Sequence, residues 1–386
     1  MKKNLLYVTG SRAEYGIMKR LLISLRDDED INLSIIATGM HCDSKYGNTY
    51  KVIEDDGFHI DEKIDINLKN NTNADVLHSM SICQSKFGYL FQKKKYDAVI
   101  LLGDRYEIFS VAIAAAIHNI PIIHLHGGEK TLGNYDEFIR HSITKMARLH
   151  LASTEEYKNR IIQMGEQPES VVNIGALGAE NALSMPLLSK TELIEKFALS
   201  NKDYFVIVFH PETFSKLPVS NQVSEVLKGL MVFRDKYEFI FIGSNSDTGS
   251  DQITEKLIAF CDVIKSRLFT SVRPEEYLSL VKFSAGLIGN SSSGLIEVPS
   301  LKVPTINIGD RQKGRVRGGS VIDCECSAAA IENAINLSQQ KYFRERLENS
   351  QNPYYKNAVL ESAIINIKRF LNTEIHSYKD FYDIKS

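Results

Sequence analysis

The sequence predicts an α/β fold of two doubly wound, parallel-sheet domains, and three observations predict it. Short continuous apolar runs alternate with segments of helical periodicity in both halves of the chain. The polar, glycine-rich motifs follow these apolar runs. They therefore fall at the carboxyl ends of strands, where open α/β sheets bind ligands. The length of 386 residues suits two domains of ordinary size.

Taken in order, residues 5–8, 33–37, 96–102, 122–125 and 149–152 read as strands. Residues 13–26, 108–117, 137–148 and 155–164 read as the helices between and after them. The second half repeats the pattern, with strands over 204–209, 239–242, 286–288 and 305–308. Residues 183–190, with Pro186, read as a linker. The expected division is an N-terminal Rossmann-like domain over 1–182, a C-terminal one over 191–365, and a tail over 366–386 packing back on the first. A site in a cleft between two facing domains follows from that arrangement.

Composition is that of a soluble globular protein, 43% hydrophobic and 24% charged, with a net charge of −2. The run Lys93-Lys94-Lys95 is short enough for a solvated helix end, so nucleic acid is not an expected partner. The five cysteines (Cys42, Cys83, Cys261, Cys324 and Cys326) are scattered. Cys324 and Cys326 lack a second pair, which argues against a zinc site, and reduced thiols fit a cytoplasm. The apolar run after Lys3 stops at Thr9-Gly10, too short for a signal peptide. No run is long enough to span a membrane.

The segment Gly289-Asn290-Ser291-Ser292-Ser293-Gly294-Leu295-Ile296-Glu297 carries the most chemistry. A strand that passes to a helix through Gly and Ser exposes free N–H groups. Hydroxyls and a helix dipole there make an anion cradle. Glu297, at the far end, would repel phosphate but grip a ribose diol. The ordinary alternative is a Ser N-cap. Arg12 in Gly10-Ser11-Arg12 is placed to clamp a phosphate, because a cation on a first helix turn has a local cost. The spacing is not G-x-G-x-x-G, which weakens a nicotinamide reading.

Asp104 and Arg105 end one strand; Asp104 taken alone reads as a helix N-cap. His126-Gly127-Gly128-Glu129 ends the next, and Asp136 and Glu137 open a helix carrying Arg140 and His141. Single acidic residues in a first turn are routine. Gathered at one sheet edge, Asp104, Glu129, Asp136 and Glu137 would raise one another's pKa, so that one accepts a proton while another donates. In the second half His210, Ser244 with Asn245, and Arg311 follow strands and suit a pyrophosphate. Arg273 is a further candidate, or else flanks a helix start at Pro274.

The ordered set of these motifs, with Arg140-His141-Ser142-Ile143-Thr144-Lys145 and His210-Pro211-Glu212-Thr213, closely resembles the hydrolysing UDP-N-acetylglucosamine 2-epimerases of bacterial sialic-acid biosynthesis. The resemblance runs from about Lys3 to the segment 309–315 and on to 378–384. It implies a GT-B-like fold. It implies conversion of UDP-N-acetylglucosamine and water to N-acetylmannosamine and UDP, through C2 deprotonation, loss of UDP to 2-acetamidoglucal, and hydration with reprotonation from the opposite face. No cofactor and no metal are implied, and the partners implied are UDP-N-acetylglucosamine, UDP and a second copy of the chain or more.

Position by position, the resemblance puts Ser291 and Ser292 on the diphosphate, with Ser293 and Gly294 beside them, and Glu297 on the ribose. Arg311 would contact UDP, and His210 would be a site histidine. Asp104 and Asp136 match carboxylates thought to be catalytic. One departure stands out: other relatives, including the animal enzyme domain, carry Glu where this chain has His126. If that Glu is the acid or base elsewhere, His126 or Glu129 must serve here. A 2-epimerase of a UDP-diacetamido-trideoxyhexose on the legionaminic-acid route would share these motifs. A non-hydrolysing epimerase, a GT-B glycosyltransferase and a non-catalytic nucleotide-binding protein are the remaining alternatives.

Overall fold

The computed structural model describes residues 2–69, 71–244, 246–374, 376 and 378–384. The chain divides into two compact units. The first comprises 1–129, 136–177 and 356–386; the second comprises 130–135 and 178–355.

The first unit is built on strands β1 (Lys3–Thr9), β2 (Ile31–Thr38), β3 (Glu62–Ile64), β4 (Ala98–Leu102), β5 (Ile122–Leu125), β6 (Leu149–Ala152) and β7 (Val171–Asn173). They form one sheet in the order β3-β2-β1-β4-β5-β6-β7, with every pairing parallel. Leu5, Leu6 and Tyr7 of β1 are wholly buried, as a strand covered on both faces must be.

One face of this sheet packs against two helices. Helix Arg12–Arg26 supplies Tyr15, Met18, Leu21, Leu22 and Leu25. Helix Val359–Leu371 adds Val359, Ala363, Ile367 and Leu371 to the same core, at the four-residue spacing of one helix face. Lys368 pairs with Asp28 at 2.7 Å and Asp30 at 3.0 Å. This helix therefore belongs wholly to the first unit, and the boundary falls at Tyr355/Lys356 rather than after 365.

The second unit contains β8 (Tyr204–Val208), β9 (Glu238–Ile242), β10 (Arg267–Phe269), β11 (Gly286–Gly289), β12 (Thr305–Ile308) and β13 (Val321–Cys324). The sheet order is β10-β9-β8-β11-β12-β13, again all parallel. Alternate residues of β8 enter two separate cores. Phe205 and Ile207 pack with Val226 and Leu230, and Val206 and Val208 pack with Leu193 and Leu280. That is the two-faced burial expected of a doubly wound sheet.

Both sheets have the expected class. The strands the sequence did not reveal are β3, β7, β10 and β13, the four sheet edges, each of three or four residues. An edge strand is covered by a neighbour on one side only, so its sequence need not be continuously apolar. The expected linker over 183–190 is non-helical from Met185 to Ser189 and is bounded by helices Leu177–Ser184 and Lys190–Phe197, the latter opened by a capping box between Ser189 and Glu192. No helix among the described residues is long and apolar enough to cross a membrane.

The C-terminal segment docks on a buried carboxylate of the first unit. Glu166 pairs with Lys145 and Lys379 at 2.6 Å each and with His150 at 3.0 Å. Burial raises the pKa of Glu166, but these partners outweigh it and hold the carboxyl below its ordinary range. The Phe381 ring lies on Gly165, where a Cβ would come within 2.2 Å of it. Gly165 also sits at φ +86°, so only glycine meets both demands. Replacing Lys379 with Ala removes one cation from a buried anion and leaves two partners. We expect a loss of about 1–3 kcal/mol in denaturant unfolding; an unchanged midpoint would mean that the ion pair does not anchor this segment.

Candidate active site

In the first unit the polar motifs emerge at the carboxyl ends of β4, β5 and β6. Arg140, on helix Asp136–Met146, is wholly buried and ties two of them together. Its Nη1 donates to the Glu129 carbonyl at 2.9 Å, and its Nη2 donates to Asp104 Oδ2. Glu137 Oε2 lies 3.7 Å from Nη1. Both Nη atoms of Arg140, a candidate site residue of that helix, thus meet protein acceptors. Asp104 is not a helix cap. The N-cap of helix Tyr106–Ile117 is Arg105, which makes no side-chain cap bond.

His124, buried in β5, supports the same turn. Its Nε2 donates to the Gly103 carbonyl at 2.8 Å, and Thr144 lies 3.2 Å from Nδ1. Burial pushes its pKa down to about 3, so the ring is neutral. His126, immediately after β5, has a left-handed backbone at φ +63°. Its Nδ1 lies 2.8 Å from Glu129 Oε1, and the same oxygen accepts from the Ser153 hydroxyl at 2.8 Å. Ser153, just past β6, was not expected from the sequence; a lone serine carries no signal. Asp136 is buried as the first residue of its helix, and His141 Nε2 lies 3.3 Å from Glu137.

Arg12 opens its helix and is half-buried. Arg105 is held by Glu107, its Nε donating at 2.5 Å. Glu14 completes this corner: its Oε2 accepts from Gly10 N at 2.8 Å and from the Ser11 hydroxyl at 3.2 Å.

In the second unit Asn290 organises the site. Its Oδ1 accepts from the His210 N–H and its Nδ2 donates to the His210 carbonyl, both at 2.8 Å. Gly289 makes this approach possible, since a Cβ there would lie 1.9 Å from the Val208 carbonyl oxygen. His210 Nδ1 meets Ser244 Oγ at 3.0 Å, so two expected residues are brought together. Asn245 lies outside the described residues.

Arg311 joins the same point: Nη1 donates to the Asn290 carbonyl at 3.3 Å and Nη2 lies 3.5 Å from Asp247. Glu212 holds the Arg311 loop, its Oε1 accepting from the N–H groups of Asp310 and Arg311 at 2.8 and 3.1 Å. Asp247 and Glu212 are further residues that the sequence reading did not single out.

The serine turn differs from its expectation in one respect. The helix it opens is a single turn, Ser293–Ile296, followed by a 3-10 turn over Val298–Leu301. Pro299 prevents a longer helix, so a large dipole is not available. The hydroxyls are placed differently from a cap. Ser292 makes no side-chain cap bond, Ser291 Oγ accepts from the Ser293 N–H, and Ser293 Oγ accepts from the Tyr277 hydroxyl at 2.9 Å. Gly294 is buried behind them against Thr305. Glu297 is buried beside Gly178, where a Cβ would lie 2.4 Å from its Oε1. Arg273 proves to be the N-cap of helix Pro274–Lys282, its N–H donating to Glu276 and its Nε to Glu275.

A model of the family described as UDP-N-acetylglucosamine 2-epimerase matches residues 23–368. The chain belongs to this family. As an enzyme of this family it is 59% identical over 382 residues to the Escherichia coli polysialic acid biosynthesis protein P7, covering 99% of this chain and 98% of that one. It is 38% identical to the GDP/UDP-N,N'-diacetylbacillosamine 2-epimerase (hydrolyzing) of Campylobacter jejuni, covering 99% of this chain and all of that one. The fold matches the UDP-GlcNAc 2-epimerase of Neisseria meningitidis, solved bound to UDP-GlcNAc, with a TM-score of 0.79 and 17% identity over 95% of this chain and 100% of that one. The GT-B-like class expected from the sequence is thereby met.

Glu14 is a buried carboxyl whose charge matters. Burial, and then the nearby Glu107, push its pKa from 4.5 up to about 7. Between those values the folded chain holds a proton that the unfolded chain has released. Stability from this pair is therefore greatest below pH 4.5 and falls as pH rises to about 7. Glu14→Gln removes one member of the pair, and urea unfolding across that window should show a flatter profile than the wild type. Parallel profiles would rule out Glu14 as the titrating group.

Proposed function

We propose that this enzyme is a hydrolysing UDP-N-acetylglucosamine 2-epimerase that forms N-acetylmannosamine and UDP, opening sialic-acid synthesis. The observation that carries the reading is the full-length likeness to a polysialic acid biosynthesis protein and to an epimerase named as hydrolysing. The arrangement of polar groups supports it. Ser291, Ser292 and Ser293, with Arg311, His210 and Ser244, are donors suited to a diphosphate, and Glu297 is an acceptor suited to the ribose hydroxyls. Arg12 and Arg105 add positive charge at the first unit's sheet edge.

The chemistry divides accordingly. A base removes the C2 proton, and the C2 electron pair forms the C1=C2 bond as the C1–O bond breaks. Its electrons leave on the UDP oxygen, stabilised by the cationic and hydroxyl donors. Water then adds its oxygen to C1 of the glycal, and C2 receives a proton on the opposite face. Asp104, Asp136, Glu129 and His126 are the groups available for these transfers. Glu137 and His141 lie beside them as substrate contacts.

A second sugar is favoured by one observation. The Campylobacter relative is named for diacetylbacillosamine, so a UDP-diacetamido-trideoxyhexose is the alternative substrate. Proton NMR in deuterated water with each UDP-sugar separates these readings. We expect free UDP and N-acetylmannosamine carrying deuterium at C2. UDP-N-acetylmannosamine would overturn the hydrolytic step, turnover confined to the trideoxy sugar would change the substrate, and failure with both would overturn the catalytic reading.

Asp104→Asn tests the proton-transfer role. Turnover should fall by about 100-fold or more while UDP affinity stays within a few-fold, since such a group acts on the transition state. Near-wild-type kcat would remove Asp104 from the chemistry.

A further inference from the structure

His126 departs from the expected carboxylate, and its surroundings specify how an imidazole works there. The ring is almost wholly buried, at 8% exposure. Nδ1 faces Glu129 Oε1 at 2.8 Å, while Nε2 is buried with no hydrogen-bond partner among the described residues. Glu129 is itself wholly buried, and Ser153, 1% exposed, donates to the same Oε1. With Glu129 a carboxylate, Oε1 can only accept, from the Ser153 hydroxyl and from the ring alike, so Nδ1 carries the hydrogen. In the neutral ring the lone pair then lies on Nε2.

The backbone points the same way. His126 holds φ +63°, a conformation that costs a non-glycine residue about 1 kcal/mol or more. Its N–H bonds to the Leu151 carbonyl at 3.1 Å, and Arg140 pins the Glu129 carbonyl. The strained turn is thus fixed from neighbouring strands and from a helix. A buried ring nitrogen without a partner among the described residues, held by strained backbone, is an arrangement suited to meeting a substrate.

Resting on the epimerase reading, we propose that His126 Nε2 is the base that takes the C2 proton of the UDP-sugar, and that Glu129 and Ser153 are positioning residues that fix its tautomer. The C2–H bond breaks, the proton passes to Nε2, and the electron pair forms C1=C2 as UDP departs with the C1–O electrons. The imidazolium so formed is paired with the Glu129 carboxylate. A different group protonates C2 on the other face; the Asp136 and Asp104 carboxyls are the groups available for it.

Two measurements test this together. Long-range proton–nitrogen NMR of the full chain, with the His126 signals assigned by their loss in His126→Asn, reads the tautomer whether or not any sugar turns over. Asn tolerates the left-handed backbone, so that variant should fold. The expected result is an Nδ1–H ring in the wild type, and loss of that single tautomer in Glu129→Gln and partly in Ser153→Ala. An Nε2–H ring in the wild type overturns the proposal.

The kinetic arm uses the UDP-sugar that the wild type converts. His126→Asn should lower kcat by about 100-fold or more, and Glu129→Gln should do likewise with KM little changed. If His126→Asn retains kcat within threefold while the wild type turns over, the proposal falls and the epimerase reading stands. If the wild type converts no UDP-sugar, the epimerase reading falls, and His126 as the C2 base falls with it; the tautomer measurement still decides the roles of Glu129 and Ser153.

Discussion

The polar edge of the first sheet depends on one buried cation. A guanidinium with no exposed surface must be matched by acceptors, or its desolvation would exceed what the fold can offset. Arg140 meets that demand with the Asp104 carboxylate and the Glu129 carbonyl. Those acceptors sit on the loops after β4 and β5, so satisfying the charge also fixes the spacing of the two loops. Any side chain those loops present, including His126 and Asp104, inherits its position from this constraint.

The second unit reaches a similar end with side chains bonded to loop backbone. Asn290 forms two hydrogen bonds with the His210 backbone, and Glu212 takes two N–H groups of the Arg311 loop. These bonds satisfy loop amides that no ladder reaches. With the His210 backbone held in this way, its ring meets the Ser244 hydroxyl at 3.0 Å. The difference between the units suits their inferred tasks. Fixed dipoles and hydroxyls serve an anion, whereas proton transfer needs titratable groups whose positions are held by charge.

Much of the fold was legible in the sequence because central strands are buried on both faces, and residues such as Leu5, Tyr7, Val206 and Ile288 form runs that no surface helix tolerates. The edges were not, because Glu62–Ile64 and Arg267–Phe269 carry charge where solvent reaches them. Helix Val359–Leu371 shows a clear apolar face, but periodicity says only that a face is buried, not against which sheet. At the site, the motif residues were legible and their partners were not. Arg140 reads the same whether it meets ligand or protein, and Ser153 and Asp247 act through contacts far apart in sequence. The short helix after the serines was legible in Pro299, a signal the strand-to-helix reading passed over.

Position 126 shows why a partner matters as much as a motif. On this backbone a glutamate in place of His126 would face the buried Glu129 at close range. Two carboxylates there repel, and one of them would have to retain a proton. Histidine changes the sign of that contact. Glu129 becomes a plain acceptor for the ring and for Ser153, and the far ring nitrogen is left without a hydrogen-bond partner among the described residues. The substitution therefore makes sense only with Glu129 and Ser153 in place, and the three residues form one unit although β5, its turn and the end of β6 supply them separately.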